Sequence, residues 1–126
     1  MLRFLNQKLQ EITEQFIEEI KKNQKDTFEL LKSIQGVSDV TSAHFLVAIK
    51  DRSRFENRRK LATYAGIDPS IRQSGSRYTR GRIRKKGSRS LRRCLYLMAS
   101  GVMRCNGCFR AYYLKKRKEG IPHRKA

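Results

Sequence analysis

The amino-acid sequence predicts an all-α fold for this chain, whose 126 residues are the length of a single domain. Apolar residues recur at spacings of three and four in several segments, as they do on one face of a helix. Serine, threonine or aspartate stands where N-caps are expected, and glycine where helices end. Because no segment has a convincing strand pattern, we expect an N-terminal amphipathic helix, a helix-hairpin-helix-like element, a long basic loop and C-terminal helices.

The first helix is predicted over residues 1–25. Its apolar residues follow a heptad-like pattern with mixed charge on the other positions, and they are Leu2, Leu5, Leu9, Ile12, Phe16 and Ile20. Such a helix can pack on its own domain or against a partner helix, and the pattern is too short to choose. We interpret it as the end of a coiled coil or oligomerisation helix.

A helix hairpin is predicted over residues 27–49. Asp26 and Glu29 have the spacing of a capping box for a helix over 27–34, and Asp39 or Thr41 can cap a second helix that runs to Ile49. Apolar side chains are expected to pack across this hairpin: Leu30, Leu31, Ile34, Val37, Phe45, Leu46 and Ile49. The turn between the helices resembles that of a helix-hairpin-helix element. Gly36 and Ser38 are therefore candidate backbone contacts to phosphate, and a purely structural hairpin is the alternative.

The remaining helices are predicted from their boundary residues. Ser53 and Glu56 form a second capping-box pattern, and Gly66 is expected to end that helix. A further helix begins at about residue 88 and carries one apolar stripe, made of Leu91, Leu95, Met98 and Val102. Asn106-Gly107 interrupts it. The last helix is predicted over 109–118, and residues 119–126 are expected to fray.

The distribution of charge indicates the class of partner. The net charge is +19, yet residues 1–31 carry a net charge of −1, and no acidic residue lies between Pro69 and Lys118. An excess of this size favours a polyanion, and nucleic acid is the first candidate. No run of 18 apolar residues exists, so a membrane-spanning helix is excluded. Three cysteines without a secretory signal favour a reducing cytoplasm.

The excess of positive charge is concentrated in and just after a glycine-rich segment, residues 67–87, that we interpret as the basic loop. Ten cations occupy 22 positions: Arg72, Arg77, Arg80, Arg82, Arg84, Lys85, Lys86, Arg89, Arg92 and Arg93. Arginine binds phosphate through two N–H groups at once, and Gly75, Gly81 and Gly87 would let the backbone approach a phosphodiester chain. Six phosphate contacts would make affinity fall with about the fifth power of salt concentration.

Chemistry cannot be assigned from the residues of this loop alone. Ser74 precedes the arginines, and neighbouring guanidinium groups could stabilise both its alkoxide and a pentacoordinate phosphate. Several other hydroxyl groups are equally placed: Ser76, Tyr78, Thr79, Ser88 and Ser90. Cys105-Asn-Gly-Cys108, with Cys94 and His123, has ligand types suited to zinc, but a single CxxC pair is a weak signal and we predict no metal site. His44 is interpreted as a packing residue.

Several segments in order resemble one family. They are Leu30-Leu-Lys-Ser-Ile-Gln-Gly-Val37, Arg54-Phe55 with Leu61-Ala-Thr-Tyr-Ala-Gly-Ile-Asp-Pro69, Arg72-Gln-Ser-Gly75, Gly81-Arg-Ile-Arg-Lys-Lys-Gly87, Leu91-Arg-Arg-Cys-Leu-Tyr96 and Arg110-Ala-Tyr-Tyr113. The series resembles the C-terminal transposase domain of bacterial insertion-sequence transposases that also carry an N-terminal RuvC-like DEDD nuclease domain. Piv-type DNA invertases are relatives, and some members use a bridge RNA as guide. Residues 26–118 are predicted to form this domain.

The resemblance implies a recombinase that joins a serine to DNA, and Ser74 matches that serine. Its partners would be DNA, a guide RNA in members that use one, and further copies of itself through residues 1–22. The resemblance implies no cofactor for this chain, since the DEDD domain would supply Mg²⁺. Because that domain is absent from the sequence, we expect a piece or a truncated form of a longer bacterial, nucleoid-associated protein, unable to cut DNA alone.

Two other interpretations remain open. One is a basic nucleic-acid-binding protein without chemistry. The other is a truncated product that inhibits the full-length transposase by mixed assembly through the first helix. The residues alone do not decide between them.

Overall fold

The computed structural model describes the backbone of residues 1–74, 77–83, 85–123 and 125, and the side chains of these residues apart from 69–82. The described chain forms a helical body and one antiparallel pair of strands. The helices are α1 (Leu2–Asn23), α2 (Lys25–Lys32), α3 (Asp39–Ile49), α4 (Arg58–Ala65), α5 (Arg89–Cys105) and α6 (Gly107–Lys118). The strands are β1 (Pro69–Ser74) and β2 (Arg77–Ile83). The predicted helical class is confirmed.

The prediction of an irregular loop over residues 67–87 is wrong. Strands β1 and β2 pair in antiparallel fashion, and in the described part of the chain they contact mainly each other. A ribbon that does not cover the core needs no apolar face, so its sequence carries no hydrophobic alternation. Its backbone groups are paired between the strands. We call the segment from Pro69 to Ile83 the basic ribbon.

Helix α2 begins earlier than predicted, and the Asp26 capping box is absent. The N–H of Gln24 donates to Ile20 O at 2.9 Å, and the N–H of Phe28 donates to Gln24 O at 3.0 Å. Helical hydrogen bonding thus passes almost without interruption from α1 into α2. No free helix start remains for a side-chain cap, since the preceding helix already supplies acceptors.

The other helix starts differ from prediction by a few residues. Ser38 caps α3 through a reciprocal pair of hydrogen bonds with Thr41, in place of Asp39 or Thr41 itself. Asn57 caps α4, whereas the segment around Ser53 forms a short 3₁₀ turn capped by Asp51. Helix α5 starts after Ser88 as predicted. Asn106 ends α5 and also caps α6, which begins at Gly107, two residues before the predicted start.

The main core lies where α2, α3, α4 and α5 meet. Phe28, Leu46 and Leu91 are fully buried there. Phe28 was not among the predicted core residues, and the predicted packing of Leu30 and Ile34 is wrong because both are exposed. Phe28 and Leu31, which are three residues apart, lie on the face of α2 that packs against the core, and Leu30 lies off that face.

A second, smaller core forms along α5, as its predicted stripe indicated. Val37, Cys94 and Met98 are buried together, with Val102 packed beside them. Burial raises the pKa of the Cys94 thiol, so this group stays protonated and acts as a small apolar side chain. Through this stripe, α5 packs against the hairpin turn at Val37.

The heptad-like pattern of α1 divides into two halves. Phe16, Ile17 and Ile20 pack against the main core. Leu5, Leu9 and Ile12, nearer the N-terminus, remain 52%, 62% and 61% exposed. Among the described helices, none is both long and apolar enough to cross a membrane. The C-terminal half of α1 therefore packs on the helical body, whereas its N-terminal half leaves apolar side chains exposed in the described part of the chain.

Candidate nucleic-acid interface

The basic ribbon leaves the helical body at a close backbone contact between α4 and the segment before α5. Tyr64 O accepts from the N–H of Ser88 at 2.8 Å, and Gly66 O accepts from the N–H of Lys85 at 3.1 Å. Gly66 has φ +67° and ends α4 in the left-handed conformation, as predicted. Gly87 has φ +141°, and a Cβ there would lie 2.3 Å from Tyr64 O. These residues form the ribbon base.

Arg92 also belongs to the ribbon base. Its guanidinium Nη1 donates to Ala65 O at 2.9 Å, at the end of α4. A cation at this position satisfies a terminal carbonyl and interacts favourably with the helix dipole. Arg92 was predicted to bind nucleic acid, and the structure instead directs one of its N–H groups into the protein.

The two strands of the ribbon place the predicted nucleophile at its far end. The Cα register pairs Pro69 with Ile83 and Ser74 with Arg77, with an irregularity between Pro69 and Ile71. At about 3.3 Å per residue, Ser74 is roughly 17 Å along the strand from Pro69. The backbone thus holds Ser74 away from the helical body and next to an arginine on the partner strand.

The predicted basic residues are distributed over the ribbon and its base. Arg72 lies on β1, and Arg77, Arg80 and Arg82 lie on β2, as does Gly81. Beyond the ribbon, the exposed cations are Lys85, Lys86, Arg89 and Arg93. Lys85 has φ +54°, an uncommon conformation for a residue with a side chain. Arg84 and Gly75 lie outside the described residues.

The hairpin turn packs against α5. Gly36 has φ +98°, and a Cβ there would lie 2.5 Å from Gly101 O. A Cβ on Gly101 would lie 2.1 Å from Gly36 O. Close packing therefore accounts for glycine at position 36, and the Ser38 side chain is engaged in its helix cap. The prediction that this turn contacts phosphate draws no support from either feature.

The candidate metal ligands do not come together. Cys94 is buried, whereas Cys105 and Cys108 are exposed, and the described residues contain no group of three or more potential metal ligands. His123 Nδ1 instead lies 2.7 Å from the Tyr113 hydroxyl, which brings part of the predicted frayed tail back onto α6. His44 packs edge-on against Phe16, with ring centroids 5.6 Å apart, as the packing interpretation predicted.

Sequence reasoning missed the residues that hold the ribbon in place. Gly66 is predicted only as a helix end, and the sequence does not indicate that the carbonyls of Tyr64 and Gly66 accept hydrogen bonds from Ser88 and Lys85. The only signal in the sequence was a pair of glycines, Gly66 and Gly87, that bracket the basic segment.

Comparison with known proteins identifies the family. The model of the family described as "Transposase IS116/IS110/IS902 family" matches residues 28–114. The 44.8 kDa protein of insertion element IS116 from Streptomyces clavuligerus is 36% identical over 101 residues, which are 80% of this chain and 25% of that protein. The 43.6 kDa protein of insertion element IS110 from Streptomyces coelicolor is 33% identical over 97 residues, 77% of this chain and 24% of that protein.

A relative named as a gene-inverting protein also matches. The pilin gene-inverting protein of Moraxella bovis is 41% identical over 71 residues, which are 56% of this chain and 22% of that protein. The chain spans about a quarter of the length of the curated relatives it matches. The ordered motifs, the family match and the relatives agree: this chain belongs to the Transposase IS116/IS110/IS902 family.

Proposed function

We propose that this chain binds DNA through the basic ribbon and its base and presents Ser74 as the nucleophile of DNA transposition. The observation that carries the proposal is the position of Ser74, paired with Arg77 at the far end of a ribbon rich in arginine. Membership in a transposase family supports it. We propose that the protein acts at the bacterial nucleoid. In members that use a guide RNA, the same ribbon would also contact RNA.

The proposed step is a transesterification. Serine Oγ attacks a DNA phosphorus, an Oγ–P bond forms, and a P–O bond to deoxyribose breaks. The serine proton passes to a base of the assembly, and the leaving alkoxide takes up a proton. Attack by the hydroxyl of another strand then releases the serine. Arginines near the phosphorus would stabilise the pentacoordinate charge.

The described residues include no cluster of metal ligands. We propose that a DEDD nuclease domain of the full-length protein holds Mg²⁺, where the ion would activate an oxygen and neutralise phosphate charge. Activity is expected of the full-length protein rather than of this chain. What this chain supplies is the serine, the cations and the ribbon that carries them.

The test uses the full-length protein, with its nuclease domain, cognate DNA and Mg²⁺. Ser74→Ala is expected to abolish both strand transfer and the covalent protein–DNA adduct, and to change DNA affinity less than threefold. Ser76→Ala and Ser90→Ala serve as matched controls that keep the adduct. An adduct that survives Ser74→Ala would disprove the assignment, and loss of the adduct in Ser76→Ala alone would transfer the role to that residue.

A second part of the proposal concerns assembly through α1. Its N-terminal half presents apolar side chains that nothing in the described chain covers: Leu2, Leu5, Leu9 and Ile12. Such a seam is typical of helix pairing. We propose that residues 1–22 join copies of the protein, which would also let a short form inhibit a full-length one.

Leu5→Glu with Leu9→Glu is expected to convert an oligomer into a monomer in sedimentation velocity measurements. Both side chains are exposed, so the variant monomer should remain folded and melt at a temperature close to that of the wild-type monomer. Gln7→Glu with Gln10→Glu changes the charge equally at exposed polar positions. A wild-type protein that is monomeric at tens of micromolar would contradict this part of the proposal.

A further inference from the structure

A second group of cations lies outside the basic ribbon and has no assigned role. It precedes and opens α4, and its members are all exposed: Lys50, Arg52, Arg54, Arg58 and Arg59. We call this group the α4 basic surface. Two acids stand among these cations, Asp51 and Glu56.

Each of the two acids interacts with a residue outside the α4 basic surface. Asp51 accepts from the N–H and the hydroxyl of Ser53 at 2.8 and 2.6 Å. Glu56 pairs with Lys60 at 2.6 Å. Hydrogen bonds from Ser53, with a smaller attraction to Arg54, hold the pKa of Asp51 below its usual range. No salt bridge to the α4 basic surface is found within the described residues, and the residues left undescribed include no Asp or Glu side chain.

Aromatic side chains fix the middle of this surface. The Arg54 guanidinium lies 5.7 Å from the ring centroid of Tyr64 and 6.0 Å from that of Phe55. Both rings pack against the main core, and they contact each other with centroids 5.3 Å apart. A guanidinium held over aromatic faces keeps its N–H edge free and loses less conformational entropy when it binds a phosphate.

The α4 basic surface is continuous with the ribbon base. Tyr64, which lies under Arg54, accepts a hydrogen bond through its carbonyl oxygen from Ser88 at the end of the ribbon segment. Helix α4 has eight residues, so about 12 Å separates its first turn from the end that meets Lys85 and Lys86. Duplex DNA carries one negative charge per about 1.7 Å of its axis, so a span of this length faces several phosphates.

The first turn of α4 carries charges of the sign that is unfavourable at a helix N-terminus. It contains Arg58 and Arg59 and no acidic residue, although cations are unfavourable at the positive end of a helix dipole. Local conflicts of this kind are expected at functional sites. An anion bound beside this turn would interact favourably with both arginines and with the helix terminus.

We infer that the α4 basic surface is a second, sequence-independent contact to the phosphate backbone of duplex DNA, adjoining the ribbon base. The inference deepens the proposed DNA binding and rests on it, and it does not depend on Ser74. Duplex DNA bound at the ribbon extends across the end of α4, so the contact area is larger than the ribbon alone provides.

The test measures binding of this chain to a random-sequence 30-base-pair DNA duplex between 50 and 200 mM salt. Arg58→Gln with Arg59→Gln is expected to reduce the slope of log affinity against log salt by about 2. Arg3→Gln with Lys8→Gln makes the same change in net charge on the distant part of α1 and should leave the slope unchanged. Removing cations from a helix start should also leave the melting temperature equal or slightly higher.

Other variants distinguish failure of this inference from failure of the proposed DNA binding. Arg52→Gln, outside α4, should reduce the slope by about 1 and guards against a folding defect in the double variant. If the Arg58 and Arg59 variant keeps the wild-type slope while Lys85→Gln with Lys86→Gln reduces it, the inference is wrong and DNA binding stands. If the wild-type chain does not bind the duplex, the proposed function itself fails. A slope that changes only with single-stranded RNA would overturn the assignment to DNA.

Discussion

Replacing Gly101 with alanine is expected to destabilise the helical body by about 3 kcal/mol, since overpacking of a well-filled interface costs 1–3 kcal/mol or more. The added methyl group would lie 2.1 Å from Gly36 O, and the atom it meets is backbone rather than a movable side chain. Helix α5 would have to move away from the hairpin turn, which would also open the small core around Val37 and Met98. The melting temperature should fall by roughly 10 °C.

Gly107→Ala is the matched control. No atom lies within 4 Å of a Cβ at Gly107, and its φ is not positive. Stability should therefore stay equal or rise by at most about 1 kcal/mol. Gly36→Ala should resemble Gly101→Ala with an added cost from its φ of +98°, and the two changes should not be additive because they disturb one interface. Thermal and urea unfolding measure these effects, and an unchanged melting temperature for Gly101→Ala would contradict the packing described.

Gly87→Ala is expected to release the basic ribbon from α4 while the rest of the protein stays folded. The new Cβ would lie 2.3 Å from Tyr64 O, the acceptor for Ser88, and the backbone has φ +141°. The Ser88–Tyr64 and Lys85–Gly66 hydrogen bonds should both weaken. In hydrogen-exchange measurements, the amides of Ser88 and Lys85 should lose protection, whereas those of α3 should keep it.

In the full-length protein, the same change should reduce strand transfer more than DNA binding. Cations on a displaced ribbon still attract phosphate, but a nucleophile about 1 Å out of place can lose about 100-fold in rate. Lys86→Ala is the control, because it removes an exposed charge and leaves the backbone contact in place. It should lower affinity and preserve the protection of Ser88. Equal loss of protection in both variants would refute the role given to Gly87.

Local sequence signals predicted most helix boundaries. The Gly66 end of α4, the Ser88 start of α5 and the Asn106 break each depend on the conformation or hydrogen bonding of one residue and its near neighbours. The prediction failed at α2, where the preceding helix supplied acceptors and made the Asp26 cap unnecessary. The prediction also failed at α4, which begins from extended chain at Asn57 rather than at the Ser53 pattern, so a capping pattern alone does not fix where a helix begins.

The basic ribbon was not predicted, because its signal is of a different kind. A strand is recognised by alternation when one face is buried, and this ribbon does not cover the core. Pairing between β1 and β2 joins residues such as Pro69 and Ile83 that are distant in sequence. The ribbon residues are a candidate interface on charge alone, because a cluster of arginines without acids needs no tertiary contact to be recognised.

By itself, the sequence determined the helical class, the family and the concentration of positive charge after residue 67, since these depend on composition, periodicity and ordered motifs. Only the tertiary structure decided the contacts of individual residues such as Gly36, Gly101 and Arg92. Gly36 meets Gly101 across 65 positions, and Arg92 meets Ala65 across 27. The physical reason is that close backbone contacts and single hydrogen bonds depend on the distance between atoms far apart in the chain, which no local pattern encodes.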